Sequence, residues 1–271
     1  MIPELWPEYE KFCRLRKEAS VSNLSDLRDI DWIYPTTLLP LGSFLIAGRR
    51  AYKEPRNRDV ADYISIMLRT DPGRVDGRRS YVPLVPLPST STEGDRVLGS
   101  IYKLHDHGRL YGGENAFKYL IGELVDNVYQ HSGFSNAFVM AQRYDKKGFV
   151  EVAIIDDGIT IGGSLRRAGF RTEDDVAAIA RVLKEGISAK GADTRGYGLR
   201  SNASIFTTGL KGEMLIVSGG GAVEIGRSEP GRGVRQNNYR LEEDFCPLNG
   251  TLVSVRIPFP SEEIDLYDYA T

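Results

Sequence analysis

Leu5, Tyr9, Phe12 and Arg16 fall at helical spacing among charged residues and predict a helix within residues 1–20. Leu24, Leu27, Ile30, Trp32 and Ile33 then alternate with polar residues, which fits a strand. Proline is tolerated in a first helical turn, so Pro35 can open a helix through Leu38, Leu41, Phe44 and Leu45. Val60–Leu68 again has helical spacing. Tyr81–Leu87 is apolar but carries Pro83 and Pro86, with Pro88 next, which predicts an edge strand or an extended connector. Ser89–Gly99 is rich in Ser, Thr and Gly and reads as a linker.

Beyond it the pattern changes. Glu114–His131 is strongly amphipathic, with Leu120, Ile121, Leu124, Val125 and Val128 as its core stripe. Phe138–Arg143 and Phe149–Ile155 read as strands joined by a turn at residues 145–148. Glu173–Glu185 reads as a helix and Leu199–Thr207 as a shorter one. Glu213–Val217 and Ala222–Ile225 flank a run of three glycines, a second hairpin, and Thr251–Ile257 alternates as a last strand. Helices mixed with antiparallel strands predict an α/β fold. The expected organisation is a small α/β domain over residues 1–100. A two-layer α/β sandwich over residues 101–271 follows, with a mixed, mostly antiparallel sheet and helices on one face.

Composition sharpens the division. The first hundred residues hold six of the 29 glycines and the rest of the chain holds 23. No Gly-X-Y period runs through them, and 41% hydrophobic with 27% charged residues is the composition of a folded chain. The net charge of −2 draws the chain neither to nucleic acid nor to an anionic membrane. The basic stretch 49–79 has nine Lys/Arg but five Asp/Glu and few aromatics, so nucleic acid is not the expected partner. No apolar run is long enough to span a bilayer. Met1–Glu10 has three acidic residues and no basic one, unlike a signal peptide. Two cysteines, Cys13 and Cys246, make no disulfide framework or metal site and read as ordinary thiols. A cytoplasmic protein is expected.

Four features carry candidate chemistry. Glu123, Asn127 and His131 lie at i, i+4 and i+8, one line along a helix. An amide oxygen there can coordinate Mg²⁺ and a carboxylate can take a proton. The strand Val152–Ile155 runs into Asp156, Asp157 and Gly158, where a carboxylate can accept from a ligand amine and glycine admits close backbone approach. Lys190, Arg195, Gly196, Gly198 and Leu199 sit in a glycine-bearing loop before a helix, a form that can cradle phosphates. Gly250-Thr251 opens the last strand. Each alone also fits something plainer: a solvated helix face, an ordinary turn, a flexible loop. Walker A, GxGxxG, GxSxG and protein-kinase HRD/DFG patterns do not occur.

Taken in order, the four features resemble the GHKL (Bergerat-fold, histidine kinase-like) ATPase superfamily, over about residues 108–260. Glu123-Leu-Val-Asp-Asn127 looks like its N box, Asp156-Asp-Gly158 like its first glycine box, Gly196-Tyr-Gly198-Leu199 like the second, in the ATP lid, and Gly250-Thr251 like its terminal Gly-Thr. The resemblance implies ATP and Mg²⁺ as ligands. Asn127 would hold Mg²⁺, Glu123 would be the general base, Asp156 would bind the adenine amino group and Gly158 would let adenine approach. Thr251 would support the Asp156 contact, the lid glycines would close on phosphates with Arg195 adding charge, and Lys190 would reach the γ-phosphate. His131-Ser132 resembles the N-box end of one histidine-kinase subfamily. Two positions depart from the pattern: Thr160 stands where a glycine is usual, and Gln130 where a phosphate-contacting lysine is common.

Asp26–Pro35 and the apolar helix after it resemble the strand–helix element of STAS domains, with Thr36, Thr37 and Ser43 as hydroxyls on or near that helix. The expected activity is slow Mg²⁺-dependent ATP hydrolysis in a signalling switch with a regulatory protein partner; a homodimer is compatible with the resemblance. A serine/threonine kinase of the anti-sigma type and a nucleotide-binding protein without hydrolysis are the alternatives.

Overall fold

A computed structural model describes residues 4–69, 80–106, 114–185, 203–227, 233–242 and 245–259. The chain enters through α1 (Leu5–Ser22), β1 (Leu24–Asp26), α2 (Pro35–Gly48), β2 (Ala51–Lys53) and α3 (Arg58–Met67). It continues through β3 (Tyr81–Pro86), α4 (Ser91–Asp106), α5 (Glu114–Asn127), β4 (Ala137–Tyr144), β5 (Phe149–Asp156), α6 (Ile161–Arg167) and α7 (Asp175–Glu185). The last strands are β6 (Glu213–Ser218), β7 (Gly221–Arg227), β8 (Val234–Arg240) and β9 (Thr251–Pro258). Seven strands form one antiparallel sheet in the order β3-β4-β5-β9-β6-β7-β8. β1 and β2 form a separate parallel pair.

The α/β class and the antiparallel sheet are as the sequence predicts. So is the placing of α5 and α7 on one face of that sheet; what the sequence does not predict is that helices of the first hundred residues cover the other face. Strand residues alternate between two faces. On β5, Val150, Val152 and Ile154 join a core with Phe117, Leu120, Ile121 and Leu124 of α5 and Ile179 of α7. Ala153 and Ile155 join a second core with Leu5, Tyr9 and Phe12 of α1 and Leu38, Leu39 and Leu41 of α2. Helices therefore cover both faces of the sheet, and the first hundred residues supply the second layer as well as edge strand β3.

The segment that reads as a linker, 89–99, is mostly the start of helix α4. Thr90 Oγ1 donates to Glu93 Oε2 at 3.0 Å, in the spacing of a capping box, so this Ser/Thr run opens a helix rather than a coil. The strand predicted over Leu24–Ile33 stops at Asp26, whose carboxylate accepts from the Arg28 amide at 3.2 Å and turns the chain.

Two buried glutamates fasten the second layer. The N-caps of α1 and α2, Glu4 and Tyr34, make no side-chain capping bond. Carboxylates from the sheet do that work. Glu151 Oε1 on β5 accepts from the Thr36 amide at 2.9 Å and from its hydroxyl at 2.7 Å. Glu224 Oε1 on β7 accepts from the Trp6 amide at 3.0 Å. Thr36 and Trp6 are the second residues of their helices, where the free amides and the positive end of the dipole favour an anion. Glu151 is fully buried, and its other oxygen accepts from Arg256 Nη2 at 2.8 Å. Arg256 in turn lies over the rings of Tyr34 and Phe149.

Thr36 and Thr37 are both fully buried. Thr37 donates to the Glu8 carboxylate at 2.6 Å, which joins α1 to α2. These hydroxyls are packing and capping groups.

Removing one partner of a buried ion pair strands the other and costs about 3–5 kcal/mol. Glu151→Ala should therefore lose about that much stability in urea denaturation. Arg56→Ala, which removes the exposed pair with Asp29, should lose less than about 1 kcal/mol.

Candidate functional site

The register of the central strands decides which groups meet. Asp156 is opposite Thr251 across β5 and β9, and Thr251 is opposite Ser218 across β9 and β6. By strand alternation all three lie on the sheet face that carries α5. Ser218 Oγ and Thr251 Oγ1 are 2.9 Å apart, and Ser218 Oγ accepts from the Ile161 amide at 2.8 Å. Asp156, Thr251 and Ser218 thus close the end of the sheet where α6 begins.

Asp156 is 7% exposed. Its Oδ1 accepts from the Gly158 amide at 2.9 Å. Burial pushes its carboxyl up to about 7; the Gly158 hydrogen bond works against that rise, and the negative charge of Asp157 adds to it. Burying an acid at such cost is typical of a site rather than of packing.

Backbones crowd around this carboxyl. A Cβ on Gly250 would lie 2.0 Å from the Asp156 carbonyl oxygen, and a Cβ on Gly158 would lie 2.3 Å from that of Ser132. Neither position can take a side chain unless its neighbours shift.

The α5 helix brings the other candidates. It ends in a wide π-type turn over Val128–Ser132 and stops at Gly133, at φ +56°. π-type turns of this kind often mark functional positions. The Ser132 carbonyl accepts from the Ile159 amide at 2.7 Å, which pins the end of the turn to the loop after Asp156.

Glu123 and Asn127 lie one turn apart on α5. Burial raises the Glu123 carboxyl above its ordinary value, and the nearby Asp126 adds to this. The Asn127 amide nitrogen Nδ2 is buried without a hydrogen-bond partner, an unusual state for a polar group. His131 sits within the π-type turn, partly buried. Lys190, Arg195, Gly196, Gly198 and Leu199 lie outside the described residues.

Sequence reasoning missed three supports. Ser218 bridges Thr251 to α6, and a serine beside a glycine turn gives no signal for this. Asp157 is a buckle: its Oδ1 accepts from the Ser135 and Asn136 amides, both at 2.8 Å. Burial would raise its carboxyl, but the bonds from Asn136 and Ser135 hold it below its ordinary value. Thr160, the departure from the glycine pattern, caps α6 by accepting from the Gly163 amide at 3.0 Å. Its spacing to the helix was the readable sign.

Among the described residues no group of three or more His, Cys, Asp and Glu side chains could hold a metal ion. No described helix is long and apolar enough to cross a membrane. Comparisons with protein-family models, with curated proteins and with solved structures give no match for this chain.

A carboxyl raised in the fold binds protons that the unfolded chain releases, so between about pH 4 and pH 7 it makes stability fall as pH rises. Asp156→Asn removes that burden. The variant should gain on the order of 4 kcal/mol over the parent at pH 8, and little at pH 4, when unfolding is followed at both.

Proposed function

We propose that this chain binds ATP with Mg²⁺ at the Asp156 end of the sheet, as the resemblance to GHKL ATPases implies. We further propose that it hydrolyses ATP slowly, as a switch acting on a regulatory protein partner. The observation that carries the reading is the buried Asp156 carboxyl, set beside Thr251 and Ser218 and reached by glycine backbone at Gly158 and Gly250. A shielded acceptor of this kind suits the amino group of a flat aromatic base. Hydrogen bonds made in such a site are stronger than in water.

The residues present fit the ligands. Asn127 has an unpartnered amide nitrogen for a polar ligand, and its oxygen is a hard donor of the type Mg²⁺ prefers. Bound there, Mg²⁺ would neutralise phosphate charge. Glu123, one turn before Asn127 and raised above its ordinary value by burial, is the acceptor for a proton from attacking water. Thr251 and Ser218 would orient Asp156 by holding the neighbouring strand end.

Titration calorimetry with ATP and Mg²⁺ tests the binding. Wild type should bind, Asp156→Asn should bind at least about tenfold more weakly, a loss of about 1.4 kcal/mol, and Glu123→Ala should bind like wild type. Phosphate release should fall at least about a hundredfold in Glu123→Ala, in keeping with the typical worth of a general base. No heat with wild type would overturn the reading in favour of an interaction protein without a nucleotide. Label from ATP held stably on a partner's hydroxyl would favour a kinase instead.

A further inference from the structure

Away from the proposed nucleotide site, one face of α1 meets the loop that leads into β9. Tyr9, Cys13 and Arg16 are spaced to lie along one side of that helix. Tyr9 Oη donates to the Cys246 carbonyl at 2.8 Å. Arg16 Nη1 lies 3.3 Å from the Cys246 sulfur and donates to the Pro247 carbonyl at 2.8 Å. Cys13 lies between those two anchors along α1 and is buried in the same core cluster as Cys246. The two thiols are 6% and 8% exposed, and neither is in a disulfide.

Cys246 is also held in a left-handed backbone conformation, φ +64°, which a cysteine rarely adopts. Such a residue persists only where its surroundings over-determine it, and here Tyr9 and Arg16 grip its two sides. Four residues on, the same loop reaches Gly250 and Thr251. It is also anchored to the β6–β7 turn, where the Leu248 amide donates to Gly219 at 3.1 Å.

We propose that Cys13 and Cys246 are an oxidation site, a thiol pair that hydrogen peroxide converts to an intramolecular disulfide tying α1 to the loop before β9.

The roles of the two sulfurs differ. The guanidinium of Arg16, 3.3 Å from the Cys246 sulfur, favours the Cys246 thiolate against the effect of burial, while burial favours the protonated thiol at Cys13. The thiolate is the nucleophile in such chemistry. Cys246 sulfur attacks one peroxide oxygen, the O–O bond breaks, and hydroxide leaves with a sulfenic acid formed. Cys13 sulfur then attacks the sulfenic sulfur, the S–O bond breaks and the S–S bond forms. The Cys13 proton and the departing hydroxyl leave as water. Two electrons pass from the thiols to the peroxide, and the sum is two thiols plus peroxide giving a disulfide and two waters. The product would fasten the loop leading to Thr251 to the helical layer on the opposite face of the sheet.

The test treats the full chain with hydrogen peroxide, blocks remaining thiols by alkylation, and maps peptides by mass spectrometry without reduction. A Cys13–Cys246 linked peptide, lost on adding dithiothreitol, is expected, with the protein still running at its own size on a non-reducing gel. Arg16→Gln should lose its thiols at least about threefold more slowly. In Cys13→Ser, Cys246 should be trapped by dimedone as the sulfenic acid; the wild-type peptide map decides the matter if that variant does not fold. Recovery of both cysteines as separate alkylated peptides would overturn the proposal. So would Cys246 advancing to sulfinic acid while Cys13 stays a free thiol.

Discussion

The pairing of β5 with β9 is the constraint on which the rest depends. One register sets Glu151 beside Arg256 on one face of the sheet and Asp156 beside Thr251 on the other. A slip of one residue would turn every side chain of a strand to the wrong face. The buried carboxylate that receives α2 would then meet apolar side chains, and the acid at the strand end would leave the α5 side. The docking of the first hundred residues and the building of the candidate site are two consequences of one alignment.

The two faces use buried acids in opposite ways. Glu151 and Glu224 are satisfied: each meets a helix N-terminus and further donors, so their charge helps to hold the fold together. Asp156 is not compensated to the same degree, and its carboxyl is pushed up to about 7, chiefly by burial. A fold that retains such a group gives up stability at neutral pH, the usual mark of a position kept for chemistry. The orphaned amide of Asn127 on the neighbouring helix is a second cost of the same kind.

Much of this was legible in the chain. The stripe Leu120, Ile121, Leu124, Val125 and Val128 is buried as its periodicity predicts, because a 3.6-residue repeat admits one packing face. The prolines of Tyr81–Leu87 put that strand at the sheet edge, where a missing amide is harmless. Composition misled at residues 89–99, because Ser, Thr and Gly open helices as readily as they fill linkers. The second helical layer was hidden for a different reason. Glu151 inside an apolar strand and Glu224 in the next hairpin look like solvent positions, and only tertiary structure supplies the helix ends that satisfy them. β8 was missed because Val234–Arg240 is almost wholly polar and holds its place by pairing with β7. At the site, Asp156, Gly158 and Thr251 were visible as motifs, whereas Ser218 and the capping role of Thr160 depend on contacts between distant segments.

In the proposed function the buried Asp156 carboxyl is an acceptor for the amino group of adenine. Carbon-13 NMR of the Asp156 carboxyl across a pH series, read with and without nucleotide, addresses it directly. The expected midpoint in the free protein is near 7. That midpoint should move down on adding ATP, because a hydrogen bond to the charged form favours it. It should not move with GTP, which presents a carbonyl where ATP presents the amine. A midpoint in the ordinary carboxylate range, or one that ATP leaves in place, would contradict it.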